Sequence, residues 1–488
     1  MRRQSVTSSL LFLTIAEIFF NFSGYIIHSV LGRMLGPSDY GRYGLVVTLT
    51  TMIIMLIGNG IPTAMSKYIS EIFETKPEFV LVIKRKAAYL QFFLIGAVTI
   101  VFFLTAPLIS LLLGDPTLTP LFRISSLIIP SFAAASFYLY YYIGIHRFNL
   151  QATLKIVRSF ARIIFVIGLA YYFGLKGSVS AYILAPASVF ITAWLIDKTR
   201  INKEFPKKFD LSFDWKKLLD YAWPVTLFML FYEILISLDL YFVKALLGDD
   251  RLTGIYNGSL TIARIPYYLF YALTMVMLPS ISRTTSQNKH EETSKIIIQT
   301  FRMMIMILLP LVILMAVYAK PLVQLFYGNR YLDAVLPLQI LAAGIGFLTI
   351  FYVMSFALNG AGKIKIPMWI SFAGMVLNGI LNYILVLKYG ISGSAAATTI
   401  TSIFITAIII YYVLKHFNKL MELGHFLKFL LAASVMLAAS LLFPPLKWIF
   451  ILWGIILSGI YVLFLYIIGE FTKEDILTFK KILLPRKK

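Results

Sequence analysis

Charged and polar side chains recur at helical spacing inside apolar segments of this chain. One stripe has the spacing i, i+4, i+7 and i+11 and consists of Glu17, Asn21, Gly24 and His28. A second stripe, 216 residues later, consists of Glu233, Ser237 and Lys244. An ionised group in apolar surroundings is costly unless it faces a cavity or a partner. Because a carboxylate there can hold a proton or a cation, we predict ion-coupling roles for Glu17, Glu233 and the nearby Asp239.

Arginine side chains lie inside two further apolar segments. Arg264 shares one helical face with Asn257, Thr261, Tyr268 and Tyr271. Arg158 and Arg162 share another face with Gln151 and Lys155. The planar guanidinium fork suits phosphate oxygens, and aromatic rings beside it can stack on sugar faces. Arg264 in particular therefore suits a phosphate-bearing ligand, and the basic face of the second segment adds further cations.

Each of these residues also has a structural interpretation. Lys155 and Arg158 fit a basic helix end whose side chains extend to lipid headgroups. Arg264, Glu17 and Glu233 fit ion pairs between helices, and Asp239, about 120° from the Glu233 stripe, fits a contact with another helix. The sequence leaves both interpretations open.

The elements that carry these residues are long and apolar. The chain has 488 residues, of which 59% are hydrophobic and 14% charged, against about 25% charged in soluble domains. Since a spanning helix needs about 20 apolar residues, we predict an all-α integral membrane protein of about fourteen transmembrane helices. The predicted spans are 10–32, 43–64, 88–113, 121–145, 157–173, 178–196, 219–246, 255–279, 296–318, 334–359, 367–387, 391–414, 427–444 and 448–469.

Basic residues between these spans predict the orientation of the chain. Of the 44 Lys and Arg residues, 31 lie in the gaps on the side of the N-terminus and 8 in the opposite gaps. Because positive charge accumulates on the cytoplasmic side, both termini are predicted to be cytoplasmic in a multi-pass protein of the cell membrane. The net charge of +22 then reflects topology, and nucleic acid is not a predicted partner.

Several kinds of chemistry find no support in the sequence. The chain has no Cys, and its five His show no metal-ligand spacing, so no metal site or cofactor is predicted. No phosphate-binding loop of an ATPase appears. We therefore expect no enzyme, and any transport is expected to draw on an ion gradient, the membrane potential or the gradient of the substrate.

An internal repeat divides the chain into two halves. Four positions recur without a gap at an offset of 216, namely Gly144, Gly174, Gly177 and Ser178 as Gly360, Gly390, Gly393 and Ser394. We predict a first six-helix lobe with its linker at 1–217, a second at 218–425, and a helix pair with a basic tail at 426–488. Both lobes start on the same side, which indicates parallel repeats, a plan typical of transporters.

The segment LGRMLGPSDYGRYGL at 31–45 resembles the signature of helices 1 and 2 in polysaccharide transporters. GNGIP at 58–62, SKY at 66–68 and the block from Gly144 to Ser178 are similar to the same family. These are the lipid-linked oligosaccharide flippases of the multidrug/oligosaccharidyl-lipid/polysaccharide exporter superfamily. The resemblance implies a V-shaped, two-lobed transporter that works by alternating access on a polyprenyl-pyrophosphate-linked glycan.

The resemblance also implies site residues and partners. Related lipid II flippases carry arginines in helices 1, 2 and 8, whereas this chain has Arg264 in helix 8 and Arg33 only at the outer end of helix 1, which favours the broader oligosaccharide group. The predicted substrate cavity comprises Arg264, Arg33, His28, Asn21, Asn257, Tyr268, Arg158 and Arg162. We expect a monomer that meets a lipid-linked oligosaccharide, membrane lipids and glycan-assembly enzymes.

Two other functions stay open at this point. A multidrug and toxin extruder shares the same fold and exports organic cations by antiport with protons or sodium, for which acidic cavity groups are suited. A scaffold for glycan synthesis without transport predicts silent cavity mutations and damaging loop mutations.

Overall fold

The computed structural model describes most of the chain as helices. The described residues are 6–57, 60–206, 213–287, 289–417, 420–442 and 449–471. Within these ranges every regular element is helical, as the all-α prediction requires. Gly58 and Asn59 of the GNGIP motif, the basic tail after residue 471 and the side chain of Tyr271 lie outside the described part.

Fifteen α-helices are present in the described ranges. The first eight are α1 Val6–Ile57, α2 Gly60–Ile72, α3 Glu78–Leu112, α4 Thr119–Ser126, α5 Ile128–Gly144, α6 Phe148–Thr199, α7 Lys216–Leu247 and α8 Asp250–Ala263. The others are α9 Ile265–Ser286, α10 His290–Val317, α11 Ala319–Tyr327, α12 Val335–Gly360, α13 Lys365–Phe417, α14 Leu423–Ser440 and α15 Ile449–Ile467. Short 3-10 helices lie at Pro116–Leu118, Ile201–Lys203 and Asn329–Ala334.

Ten segments of the described chain are long and apolar enough to cross a membrane. Helices α1, α6 and α13 have 52, 52 and 53 residues. A straight helix of that length would measure about 78 Å, more than twice the roughly 30 Å of a bilayer core. Each instead bends at one glycine with non-helical torsion angles. The membrane class is confirmed, while the count of fourteen spans stays a prediction.

The backbone supports the internal repeat. Positive φ angles in the first half occur at Gly36, Gly114, His146 and Gly174, and in the second half at Gly248, Gly328, Gly362 and Gly390. Each position has its counterpart 212 to 216 residues later. The bends of α6 and α13 are nearly identical, with φ 56° and ψ −135° at Gly174 and φ 59° and ψ −139° at Gly390. Side chains other than glycine rarely adopt such torsion angles, which explains why these glycines recur.

The chain forms two compact units. Unit 1 comprises Met1–Ser237 and Gly248–Gly254, and unit 2 comprises Leu238–Leu247 and Ile255–Lys488. Helix α7 therefore contributes to both units. The lobes predicted at 1–217, 218–425 and 426–488 remain a prediction from the repeat.

A close backbone contact fixes the segment Gly248–Gly254 within unit 1. A Cβ on Gly41 would lie 2.5 Å from the carbonyl oxygen of Asp250 and 2.7 Å from the nitrogen of Gly254. Next to it, Arg42 Nε donates a hydrogen bond of 2.7 Å to Asp250, and Arg42 lies 3.5 Å from Asp115. A side chain at Gly41 would therefore separate the two segments.

The predicted span 255–279 is not one continuous helix. Helix α8 ends at Ala263, and α9 begins at Ile265, with Arg264 between them. Pro266 explains the break, because it has no N–H to donate and its ring clashes with the carbonyl of residue 262. The stripe expected along a single helix is thus divided at Arg264.

Candidate functional site

A basic cluster lies on the first half of α6 in unit 1. Its members are Lys155, Arg158 and Arg162, which the helical period places on one face. This face meets α1 around Glu17 and Ser23. The predicted face of α1 and the predicted face of α6 are therefore brought together.

Two of the three residues of the basic cluster form an ion pair or hydrogen bonds with α1. Lys155 Nζ forms an ion pair with Glu17. Arg162 donates hydrogen bonds of 2.6 Å to the carbonyl oxygen of Phe20 and to the hydroxyl of Ser23. Gly24 leaves room for this arginine, since a Cβ there would lie 3.4 Å from its terminal nitrogen.

All three cations surround the ring of Phe20. The ring centroid lies 5.4 Å from Lys155, 5.2 Å from Arg158 and 4.1 Å from Arg162. Arg158 also lies 4.3 Å from the centroid of the Phe132 ring. Cations over ring faces are attracted electrostatically, but a ring carries no net charge. Glu17 is the carboxylate that pairs with Lys155, and the three basic side chains lie together around one ring.

A buried carboxylate lies in unit 2. Asp239 has no exposed surface, and it accepts hydrogen bonds from Tyr256 at 2.9 Å and Thr398 at 3.1 Å. The backbone N–H of Leu240 also donates to it at 2.8 Å. Arg264 lies near enough to interact with it electrostatically. Asp239 therefore contacts side chains of α8 and α13.

Buried amides and a hydroxyl continue this polar group along α13. Asn382 donates to the side-chain oxygen of Asn378, and Ser394 donates to Asn382 at 2.6 Å. The hydroxyl of Ser394 lies 3.5 Å from the carbonyl oxygen of Asp239. We call Asp239, Tyr256, Thr398, Asn378, Asn382 and Ser394 the Asp239 cluster. A carboxylate surrounded by amide, hydroxyl and carbonyl oxygens has the donor chemistry to hold a proton or a small hard cation.

The two units differ at equivalent positions of the repeat. The residues 216 positions after Lys155, Arg158 and Arg162 are Ser371, Gly374 and Asn378, a neutral and buried set. The same face of the repeat is thus basic in unit 1 and neutral in unit 2. Because the fold is shared, these charges are not required by the helix packing itself.

The remaining predicted site residues belong to both units. His28 contacts Tyr40 at 2.8 Å, and Arg33 is exposed about 15 Å along α1 from Ser23. Asn21 and Glu233 are half-buried in unit 1. In unit 2, Asn257 is buried, and Tyr268 is exposed. Arg264 and Asp239 belong to unit 2, whereas Arg158 and Arg162 belong to unit 1.

Sequence reasoning missed several members of both groups. Lys155 lies on the predicted basic stripe but is not among the predicted cavity residues. The rings of Phe20 and Phe132 gave no signal among 40 phenylalanines. Tyr256 carried no signal that would single it out among 29 tyrosines. Asn382 lies one helical turn beyond Asn378 and was a detectable extension of that stripe.

The family matches place this chain among the membrane transporters of the flippase and multidrug-exporter superfamily. The family model described as polysaccharide biosynthesis protein matches residues 6–285, which is more than half of the chain, so the chain belongs to this family. A second model, described as MatE, matches residues 224–384.

Relatives and solved structures agree with this assignment. An uncharacterized membrane protein of Methanocaldococcus jannaschii is 25% identical over 84% of this chain and 98% of its own length. A probable low-salt glycan biosynthesis flippase of Haloferax volcanii is 23% identical over 47% of each chain.

Among solved structures, the lipid II flippase MurJ in an inward closed conformation has a TM-score of 0.75 at 19% identity, covering 95% of this chain and 99% of its own. An inward-facing multidrug resistance MATE family transporter has a TM-score of 0.70 at 16% identity, covering 83% and 98%. At these identities the likeness shows a shared fold.

Proposed function

We propose that this protein flips a polyprenyl-pyrophosphate-linked oligosaccharide across the cell membrane by alternating access, for the assembly of a surface polysaccharide or glycan. The basic cluster attracts the pyrophosphate, the glycan occupies a polar cavity, and the prenyl tail stays in lipid. Membership of the polysaccharide biosynthesis family and the name of the Haloferax relative support this type of cargo.

One observation carries the proposal. Three basic side chains of α6 lie together on one face, with Glu17 paired to Lys155, within a segment apolar enough to span a membrane. A group of positive charges there is costly for the empty protein and favourable once an anion binds. A transporter of organic cations would be hindered by the same charges. The basic cluster therefore favours an anionic cargo.

In this proposal, the Asp239 cluster binds the coupling ion. Its carboxylate is fully buried and surrounded by hydroxyl and amide groups, so that loss or gain of a proton or cation changes the charge that unit 2 buries. Arg264, which lies beside Asp239, adjusts that charge and contributes less to phosphate binding than the arginines of α6. Glu17 and Glu233 remain secondary candidates for coupling.

The second candidate function is multidrug extrusion. It is favoured by one specific observation, which is that the buried Asp239 lies inside the region matched by the MatE model. In that case the carboxylate would alternate between an organic cation and a proton or sodium ion. The basic cluster would then be a structural feature of unit 1.

Reconstitution into liposomes separates the two functions. Liposomes carry a polyprenyl-pyrophosphate-linked oligosaccharide with a fluorescent sugar, and a membrane-impermeant reductant reports how fast the label changes leaflet. We expect flipping by the wild-type protein, and at least a tenfold slower rate in the Lys155→Gln/Arg162→Gln double variant, because two of the three positive charges of the basic cluster are then removed. The matched control is Lys67→Gln, at an exposed lysine of unit 1.

A different result would favour multidrug extrusion. If the wild-type protein leaves the glycolipid in its leaflet but drives ethidium uptake under an imposed proton or sodium gradient, the flippase proposal is wrong and the extruder is right. Asp239→Asn adds the coupling test, since we expect it to abolish the dependence of flipping on the ion gradient. Gradient dependence that survives in Asp239→Asn contradicts the role assigned to this carboxylate.

The proposed orientation is testable because the chain has no cysteine. Single cysteines at Lys203 and Lys320 lie in gaps predicted on opposite sides of the membrane. We expect a membrane-impermeant maleimide added outside intact cells to label Lys320→Cys and not Lys203→Cys. The reverse pattern would place the termini outside.

A further inference from the structure

The two ends of helix α6 meet around one cavity of unit 1. The helix has 52 residues and bends at Gly174, so that each half measures about 39 Å, enough to cross a bilayer core of about 30 Å. Both ends return to the same side, because Arg147, just before the helix, donates a hydrogen bond of 2.6 Å to Glu204, a few residues after it. The cavity between these ends therefore lies at the level of a membrane surface, on the side predicted to be cytoplasmic.

The lining of this cavity is rich in hydrogen-bond donors. The cavity has a volume of about 300 Å³, and Arg147, Arg200, Glu204, the amide of Asn149 and three aliphatic side chains line it. Arg147 gives one N–H to Glu204 and has four others. The exposed side chain of Arg200 forms no hydrogen bond or ion pair with the residues that the structure describes. Two guanidinium groups and an amide thus offer donors to an anion in the cavity.

An exposed apolar stripe leads away from the cavity along the first half of α6. Val157, Phe160 and Ile164 follow Asn149 at i+8, i+11 and i+15, which places them on the same side of the helix. Their exposed fractions are 41%, 52% and 66%. A polar cavity that continues into an apolar stripe fits an amphiphile, with its phosphate at the membrane surface and its chains along the helix.

We propose that this cavity binds the headgroup of an anionic phospholipid of the surrounding bilayer. The phosphodiester accepts hydrogen bonds from Arg147 and Arg200, and the acyl chains lie along the stripe of Val157, Phe160 and Ile164. Basic cavities between membrane helices on the cytoplasmic side suit such headgroups. The site is separate from the basic cluster, since Lys155 lies about 12 Å further along α6. It does not depend on the proposed cargo.

The test is a lipid titration of the full-length protein in mild detergent, followed by native mass spectrometry. Phosphatidylglycerol, with one negative charge, is compared with zwitterionic phosphatidylcholine of the same acyl chains, and the ratio of dissociation constants is measured for the first bound lipid. We expect the wild type to bind phosphatidylglycerol about five- to thirtyfold more tightly, the effect of two arginines near one phosphate. In Arg147→Gln/Arg200→Gln the ratio should fall towards one.

A matched control removes the same charge outside the cavity. Arg85 and Lys86 are exposed residues of α3 in another gap predicted to be cytoplasmic. Arg85→Gln/Lys86→Gln is therefore expected to keep the wild-type ratio. An equal fall in both double variants would mean general attraction to a basic surface, and it overturns the site.

Glu204→Gln separates lipid binding from folding. This variant breaks the same ion pair as Arg147→Gln, but it leaves the donors of Arg147 in place. We expect phosphatidylglycerol to bind it at least as tightly as the wild type, because a competing carboxylate is lost. Weaker binding, as in the Arg147→Gln/Arg200→Gln variant, would mean that the ion pair only shapes the cavity, and it overturns the role of Arg147.

Glycerol phosphate distinguishes a lipid from a free anion, because it offers the phosphate without acyl chains. We expect it to bind at least about tenfold more weakly than phosphatidylglycerol, since the apolar stripe is then left uncovered. Equal affinity for both would mean a site for a soluble anion, and the lipid proposal is then wrong. A wild-type protein with no preference for phosphatidylglycerol also overturns it. Failure of glycolipid flipping in liposomes leaves this inference standing, because lipid binding is measured without transport.

Discussion

The ion pair between Glu17 and Lys155 gives a prediction with a magnitude. Both side chains are largely buried, with 12% and 17% of their surface exposed. Two unit charges about 4 Å apart attract by about 4 kcal/mol at an effective dielectric constant of about 20. Removing one partner of such a buried pair typically costs about 3–5 kcal/mol, because the other charge stays buried without compensation. We therefore expect Glu17→Gln to lower the free energy of unfolding by about 3–5 kcal/mol.

The assay is a double-variant cycle. Unfolding is followed while sodium dodecyl sulfate is titrated into the purified protein, for Glu17→Gln, Lys155→Gln and the double variant. We expect the double variant to regain most of the stability lost in Glu17→Gln, since no lone charge remains. The exposed pair Lys67 and Glu71, at 3.6 Å with 38% and 52% of the side chains exposed, serves as the control. The coupling free energy between Lys67 and Glu71 is expected to be about 0.3–0.5 kcal/mol.

Two results would refute this reasoning. The first is a coupling free energy between Glu17 and Lys155 no larger than that of the exposed pair. The second comes from ligand binding. Glu17→Gln removes a negative charge beside the basic cluster, so a polyprenyl-pyrophosphate-linked oligosaccharide should bind more tightly although the protein is less stable. A parallel loss of stability and affinity would mean that Glu17 shapes the cluster and does not offset its charge.

The other predictions concern the repeat and the C-terminal helices. Gly174→Ala and Gly390→Ala should each lower the unfolding free energy by about 1–3 kcal/mol, since both glycines have torsion angles unfavourable for alanine. The control is Gly96→Ala, in an open helical position, which should change the unfolding free energy by about 1 kcal/mol or less. Glu470, 1% exposed and surrounded by three basic side chains from α10 and α14, should be needed for docking of the last two helices. Glu470→Gln should therefore speed hydrogen exchange in α14, whereas exchange that stays as slow as in the control Glu422→Gln would contradict this role.

The two units carry different charges at equivalent positions of the repeat. The face of unit 1 that carries Lys155 and Arg158 corresponds to neutral residues in unit 2. Helix packing tolerates either set, because the bends and glycines that shape the helices lie elsewhere. In the proposed function, the cargo and the coupling ion therefore depend on a few side chains of a shared framework.

The sequence by itself determined the membrane class, the all-helical fold and the repeat. Long apolar runs admit few other structures, since a backbone in lipid must satisfy its own hydrogen bonds. Glycines such as Gly174 and Gly390 recur because only glycine tolerates the torsion angles of the bends. Helical periodicity also placed Glu17 on one stripe and Arg158 on another.

Only the tertiary structure decided which stripes meet. The period of a helix fixes the face on which a residue lies, but the partner of that face depends on the rotation and register of helices far apart in the chain. Lys155 therefore emerged as the partner of Glu17 across 138 residues. Arg264, the first choice from sequence for the phosphate, lies near enough to Asp239 to interact with it electrostatically. No local pattern contains that information, because each pairing is a property of two helices packed together.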